Sequence, residues 1–563
     1  MRNNLAVCIA ACVLSLSAVS LAQIPVHAET LADASWHHGG DVHTSTPIKH
    51  LVVIFQENVS FDHYFATYPN AANGQGEPSF YARPFTPKVN GLSNALLTNN
   101  PNKNNSANGT GAVNPFRLSR AQAATADQDH DYGPEQQAFN GGAMDLFPKY
   151  TGSGETLPGA PADEEGNGQV MGYYDGNTVT AMWNYAQWFA LNDNSYGSTF
   201  GPSTPGAINL VSGQTNGVTQ SLNGSSVLVN DGQGGQTLVS DADPIGDVCS
   251  SPSGSQVQLG GKNVGDLLNS AGVTWGFFEG GFDLATVNTN GTTGCKRSTV
   301  STVTQTNKAD YIPHHQPFQY YPSTANPTHV RPTSVAMIGH QGDAANHQYD
   351  TNDFYAAVEA GNFPAVSFLK APGYQDGHAG YSDPLDEQQF IVHVINFLQK
   401  SPEWRDTAVV IAYDDSDGWY DHQAAPRVNA SSTSSDALDG TGICNARGTL
   451  PGVNSNGQPV QGRCGFGPRL PLLVISPWAR SNHVDHTLTD QTSVTRFIED
   501  NWLRGERLGG GSFDAVSGSL EHMFDFFQPF PEHRKLILDE QTGQPVKQPK
   551  PWPWASQPHS PRG

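Results

Sequence analysis

Two short polar runs stand where chemistry is expected. Glu57-Asn58 follows the apolar run Leu51-Val52-Val53-Ile54-Phe55, and Asp414-Asp415 follows Ala408-Val409-Val410-Ile411-Ala412-Tyr413. Continuous apolar runs of this kind suit strands buried on both faces of a parallel sheet, and ligands of such sheets bind at the carboxyl ends of the strands. Carboxylates and an amide carbonyl delivered to that edge make an oxygen-rich site for a hard or borderline divalent cation. Each run also has an ordinary structural use. Glu57-Asn58, Ser60 and Asp62 would cap a helix, and Asp414-Asp415 with Asp417-Gly418 would form a turn. Their occurrence on two separate apolar runs favours the cation, because adjacent carboxylates repel unless a cation or a donor neutralises them.

A nucleophile is offered by Gly201-Pro202-Ser203-Thr204-Pro205-Gly206. A hydroxyl in such a turn can sit at a helix N-terminus, where backbone N–H groups and a metal lower the cost of its alkoxide; alone, the pattern also describes a plain turn. The histidines form the third group: His130 in Asp129-His130-Asp131, the adjacent His314 and His315, and His378 in a Gly-rich loop that also holds Asp376. Such residues can clamp phosphoryl oxygens, protonate a leaving group or bind zinc, though loop histidines are more often surface hydrogen-bonders. No His-x-x-x-His helix and no paired-cysteine motif supports a zinc site of nitrogen and sulfur ligands.

These groups need a scaffold. Apolar, β-rich runs recur at Leu51–Phe55, Val273–Phe278, Ala365–Leu369, Ala408–Ala412 and Leu470–Ile475, and helical periodicity is clearest at Asp386–Leu398 and Gln491–Leu503. The alternation predicts an α/β fold: a single large domain over 45–527 with a doubly wound, mainly parallel central sheet. Long insertions are expected over Asn90–Gly168, Leu210–Gly265 and Ser431–Gly462, and a Pro-rich tail over 528–563, as an extended strap or a loose end.

The opening residues read as a signal peptide, 1–28, with cleavage after Ala22 or Ala28, which predicts a periplasmic or secreted protein. Export suits the cysteines. Cys8 and Cys12 lie in the leader, and of the three pairings open to Cys249, Cys295, Cys444 and Cys464 the short loops favour Cys249 with Cys295 and Cys444 with Cys464. A formal net charge of -23 without a clustered Lys/Arg stripe excludes nucleic acid as a partner and gives no stable membrane anchor. No residue pattern speaks to an oligomeric state.

Phe55-Gln56-Glu57-Asn58-Val59-Ser60-Phe61-Asp62-His63-Tyr64-Phe65 closely resembles the opening motif of a bacterial phosphoesterase family of acid phosphatases and phospholipases C, within the alkaline phosphatase superfamily. Gly201–Pro205 is similar to that family's nucleophile turn, Val264–Leu268 with Val273–Trp275 to its second strand entry, and Val410–Asp421 to its acidic motif. Phe363–His378 and Val484–Glu499 also match. The resemblance implies that Glu57, Asn58, Asp414 and Asp415, with Ser203, hold a divalent metal ion whose identity the residues do not specify. It implies that Ser203, rather than Thr204, attacks phosphorus, and that His130, His315 and His378, together with His314, surround the phosphoryl oxygens. Asp414-Asp415 stands where two-zinc alkaline phosphatases carry an Asp-His pair, which argues against a full two-zinc site. Ser203, and the little sequence beyond Phe530, look more like the acid phosphatase branch. The expectation is an exported, metal-dependent acid phosphatase hydrolysing small phosphomonoesters through a phosphoserine, preferably at mildly acidic pH where His130, His315 and His378 carry protons. The alternatives are a phospholipase C acting on phosphatidylcholine-type phospholipids and a secreted, non-enzymatic binding protein with Gly/Asn/Ser/Thr-rich insertions.

Overall fold

A computed structural model describes residues 43–153, 166–446, 458–528 and 534–546, which belong to one unit starting at His43. The expected leader, 1–28, lies outside the described residues. The central sheet has eight strands: β1 (His50–Gln56), β2 (Ala190–Asn192), β3 (Trp275–Glu279), β4 (Gln348–Asp350), β5 (Val366–Lys370), β6 (Thr407–Tyr413), β7 (Leu472–Ile475) and β8 (His483–Asp485), in the order β4-β3-β5-β1-β6-β7-β2-β8. All run in one direction except β7, which is antiparallel to both β6 and β2. The fold is therefore α/β with a mainly parallel sheet, as the sequence predicts. Of the five predicted strands, Leu470–Ile475 alone departs from the parallel reading. Its unbroken apolar run reflects burial of all four residues of β7, which a covered antiparallel strand requires equally.

β1 occupies the middle of the sheet, with Leu51 opposite Val366 of β5 and opposite Ala408 of β6. Leu51 through Phe55 and Ala408 through Ile411 are fully buried. The registers Ile54 with Leu369 and Gln56 with Tyr413 bring Glu57, Lys370 and Asp414 out at one end of three adjacent strands.

Eight helices bear on the argument: α1 (Phe61–Phe65), α2 (Tyr132–Phe139), α3 (Thr180–Trp188), α4 (Ser203–Ser212), α5 (Val264–Ala271), α6 (Thr351–Glu359), α7 (Pro384–Lys400) and α8 (Thr492–Trp502). The start of α7 is fixed by its sequence. Asp383 caps it by accepting from Leu385 N at 2.9 Å and Asp386 N at 3.0 Å, and Pro384 occupies the first helical position, where its missing N–H costs nothing. Phe390, Ile391, Val394, Ile395 and Leu398 then form the buried stripe. The same helix holds residues 534–546 in place: Leu536 and Leu538 are buried, and Gln399 and Asn396 donate to their carbonyls at 2.9 and 2.7 Å. The rest of the predicted tail beyond Val546 lies outside the described residues. Disulfides join Cys249 to Cys295 and Cys444 to Cys464. Among the described residues no helix is long and apolar enough to cross a membrane.

Candidate active site

Ser203 is the first residue of α4, after Pro202 in extended backbone. Its hydroxyl oxygen lies 3.0 Å from Glu57 Oε2, 3.1 Å from Asp415 Oδ2 and 3.4 Å from Asn58 Oδ1. Thr204 faces elsewhere: its N–H donates to Asp241 at 2.9 Å and its Oγ1 accepts from Ala242 N at 3.4 Å. The side chains thus separate two hydroxyls that the sequence alone leaves as alternatives. Gly206 shows how closely α4 approaches the acidic segment, because a Cβ there would meet the carbonyl oxygen of Asp414 at 2.3 Å.

The strand ends are laced together through their backbones. Glu57 N donates to the Asp376 carbonyl and Val59 N to the Asp415 carbonyl, both at 2.9 Å, while Asn58 N donates to Asp414 Oδ1 at 3.0 Å. Asn58 adopts a positive φ of 58° and Asp417 one of 52°, conformations these residue types tolerate better than most.

Glu57, Asp376, Asp414, Asp415 and Asp417 are each no more than 2% exposed. Lys370, the last residue of β5, is buried among them with its ammonium on Glu57. Burial pushes its pKa down against the pull of Asp414, Asp376 and Asp415. Burial likewise raises Asp376 to about 7, opposed by Lys370, and raises Asp415 well above the carboxylate range with Asp414 adding to the effect. Asp414 Oδ2 is buried without a hydrogen-bond partner among the described residues. An orphaned carboxylate oxygen, beside further carboxylates and an amide carbonyl, fits a hard or borderline divalent cation, because charge of this density needs a counter-charge.

A second donor set adjoins the first. Asp127, His130, His378 and Asp417 each offer an atom within 4.8 Å of the others. Asn58 joins the two sets, its Nδ2 donating to Asp417 at 3.1 Å and lying 3.3 Å from His130 Nε2. The His130 ring faces the His378 ring edge-on at 5.8 Å, and His378 stacks on Tyr381. His315 Nδ1 is 3.4 Å from Glu57 Oε1, and its buried Nε2 has no hydrogen-bond partner among the described residues. His314, more exposed, lies beside it and 3.7 Å from Asp243. All nine residues singled out in the sequence therefore gather around one strand edge.

The histidines differ in charge. Burial opposes protonation of His130, but Asp415, Asp417, Asp127 and Asp241 outweigh it and hold its pKa well above the usual value. His314 is also raised, burial being outweighed by Asp241 and Asp243. Burial pushes His315 well below the usual value and His378 to about 4. Burial thus works against protonation of His315 and His378, whereas the acids around His130 favour it.

Glu135 of α2, unremarked in the sequence, is 1% exposed. It accepts from Gly201 N at 3.0 Å and from Ser416 Oγ at 2.7 Å, spanning the turn before Ser203 and the acidic segment. Burial raises its pKa to about 7. The stretch 90–168, read as an insertion, therefore supplies Asp127, His130 and Glu135 to the site's surroundings.

The profile of the Phosphoesterase family matches residues 48–503. The chain belongs to that family. It is 26% identical over 523 residues to the non-hemolytic phospholipase C of Pseudomonas aeruginosa, a match covering 90% of this chain and 62% of that protein. It is 23% identical over 489 residues to the hemolytic phospholipase C of the same organism, covering 86% and 57%. With phospholipase C A of Mycobacterium tuberculosis it shares 23% identity over 498 residues, covering 86% of this chain and 78% of that protein. The chain thus spans about three fifths of the length of the two Pseudomonas relatives. Among solved structures, it is similar to a protein of the alkaline phosphatase superfamily from Vibrio parahaemolyticus, with 10% identity, a TM-score of 0.25, and coverage of 80% of this chain and 82% of that one.

Proposed function

We propose that the protein hydrolyses phosphate esters through a phosphoserine at Ser203, with small phosphomonoesters as the favoured substrates. The observation that carries this reading is the Ser203 hydroxyl within 3.4 Å of Glu57, Asn58 and Asp415 at the carboxyl edge of the sheet. A divalent cation held by Glu57, Asn58, Asp414 and Asp415 with Ser203 would neutralise phosphoryl charge and favour the serine alkoxide.

Ser203 Oγ forms a bond to phosphorus as the ester P–O bond breaks in line, and the alcohol departs with a proton. His130, a histidine whose acidic neighbours favour protonation, is the candidate donor of that proton. Water then attacks the phosphoserine from the opposite side, releasing phosphate and restoring the hydroxyl. Lys370 holds the Glu57 carboxylate in place beneath the nucleophile.

A polar leaving group is supported by the cavity lined by Asp131, Ser240 and Thr441, Asp131 following His130 in the chain. The second reading is a phospholipase C, favoured by the names of the relatives. Initial rates for p-nitrophenyl phosphate and dispersed phosphatidylcholine, from one metal-defined preparation, separate the two. Faster release of nitrophenol is the expected result, and faster release of phosphocholine at every pH establishes the phospholipase. We also propose an extracytoplasmic location, supported by the two disulfides.

A further inference from the structure

Two cavities beside the candidate active site meet at shared walls. One, of about 330 Å³, is lined by Asp131, Gln137, Ser240 and Thr441 among others. The other, of about 540 Å³, is lined by Asn230 and Gln461 among others. Ser226, Ser434 and Ser435 line both, so the two form one trough.

Its inner end lies next to the chemistry. Asp131 follows His130 in the chain, and Ser240, whose hydroxyl donates to Asp131 at 3.1 Å, precedes Asp241, the acceptor for Thr204 N. The walls come from the start of α2 at Asp131–Gln137 and from two Ser/Thr/Gly/Asn-rich stretches around 226–240 and 432–441, which the catalytic reading leaves unused. The last of these is tied back by the Cys444–Cys464 disulfide.

The chemistry of the lining selects its occupant. No lysine, arginine or histidine lines either cavity, so nucleotides, polyphosphates and acidic peptides find no counter-charge. Leu228, Val229 and Val239 are 8%, 9% and 4% exposed, leaving too little apolar wall for an acyl chain. By contrast, the side chains of Gln137, Ser226, Ser434, Ser435 and Thr441 make no hydrogen bond to other described residues. A row of neutral donors and acceptors not consumed by the protein matches a ligand whose surface is a row of hydroxyls.

We propose that this trough binds the carbohydrate portion of the substrate, so that the preferred esters are phosphates of neutral sugars or short glycans. The inference rests on the phosphoester-hydrolase reading of Ser203 and deepens it. Phosphate at Ser203 directs the leaving alcohol past His130 and Asp131 into the trough, where each sugar hydroxyl exchanges a bond to water for one to a serine, threonine or amide.

The test uses the full chain with its metal and compares maltose phosphate with propyl phosphate, an alkyl ester that cannot fill the trough. Two hydroxyl contacts of ordinary strength correspond to about thirtyfold in kcat/KM in favour of maltose phosphate. Ser226→Trp and Ser434→Trp, at exposed positions remote from the proposed catalytic groups, should abolish that preference, mainly by raising KM, and leave propyl phosphate hydrolysis unchanged. Equal kcat/KM for the two esters in the unaltered protein overturns the proposal, as does an equal loss on both esters in the tryptophan variants. Failure of the underlying reading looks different: propyl phosphate and p-nitrophenyl phosphate would both go unhydrolysed.

Discussion

Replacing Glu135 should damage catalysis without touching any group that contacts phosphorus. Its carboxylate accepts from Gly201 N at 3.0 Å and Ser416 Oγ at 2.7 Å. Gly201 precedes Ser203 by two residues, and Ser416 follows Asp415 by one. Glu135→Ala leaves the buried Gly201 N–H without an acceptor and the Ser416 hydroxyl, which still accepts from Gly418 N, without one for its proton; at about 1–3 kcal/mol each, the loss of stability should be about 2–6 kcal/mol. The catalytic effect comes from geometry, because a nucleophile displaced by about 1 Å loses about a hundredfold in rate. Glu135→Gln should behave differently. Its amide oxygen can accept from Gly201 N while its NH2 donates to Ser416 Oγ, and burial already pushes the native acid to about 7, so an uncharged isostere fits the environment. The assay is kcat and KM with p-nitrophenyl phosphate beside chemical denaturation and metal content. The expectation is a fall in kcat for Glu135→Ala with rescue by glutamine. Native kcat in Glu135→Ala refutes the clamp, and equal damage from Ala and Gln shows that charge rather than tethering matters.

Asp414→Asn and Glu57→Gln should each lower bound divalent metal and activity together, whereas Asp127→Asn should leave metal content near native; elemental analysis that finds the reverse moves the cation to the Asp127-His130-His378-Asp417 set. His63, buried against Trp419 with ring centroids 3.9 Å apart, has its pKa pushed from 6.5 to about 3 by burial, only partly offset by its bond to the Gly172 carbonyl. The unfolded chain therefore takes up a proton below pH 6.5 that the native state refuses. This group's stability contribution is complete above that pH and falls by about 1.4 kcal/mol per pH unit down towards the folded value. Denaturation of His63→Gln across that range should show a slope shallower by about one proton, and an unchanged slope contradicts the assignment.

Much of the sheet is legible in the sequence because β1, β3, β5 and β6 are covered on both faces and leave unbroken apolar runs. β2, β4 and β8 are not, since each is three residues long and carries polar groups with specific partners: Asn192 donates to Asp485 at 3.0 Å, and Asp350 caps α6. At the site, the strand-end acids and the serine stand out by type and position, but each also reads as a cap or a turn, and their roles are assigned through the resemblance to the family. Lys370 does not stand out, because a lysine at a strand end ordinarily signals solvent, and its burial becomes sensible only once the sheet register places it beside Glu57. Asp417 reads as a turn residue before Gly418, yet its carboxylate meets Asn58 and His130 from 359 and 287 residues away. Glu135 is hidden for the same reason, its partners lying 66 and 281 residues along the chain.

The most direct test of the account is to look for phosphate on Ser203. The metal-loaded protein is mixed with a phosphomonoester, quenched in acid during turnover, and digested for mass spectrometry. The account predicts a phosphorylated peptide with the modification on Ser203, absent from Ser203→Ala, which should keep most of its metal through Glu57, Asn58, Asp414 and Asp415 and release no product. Phosphate on Thr204 instead, or undiminished turnover by Ser203→Ala, would contradict it.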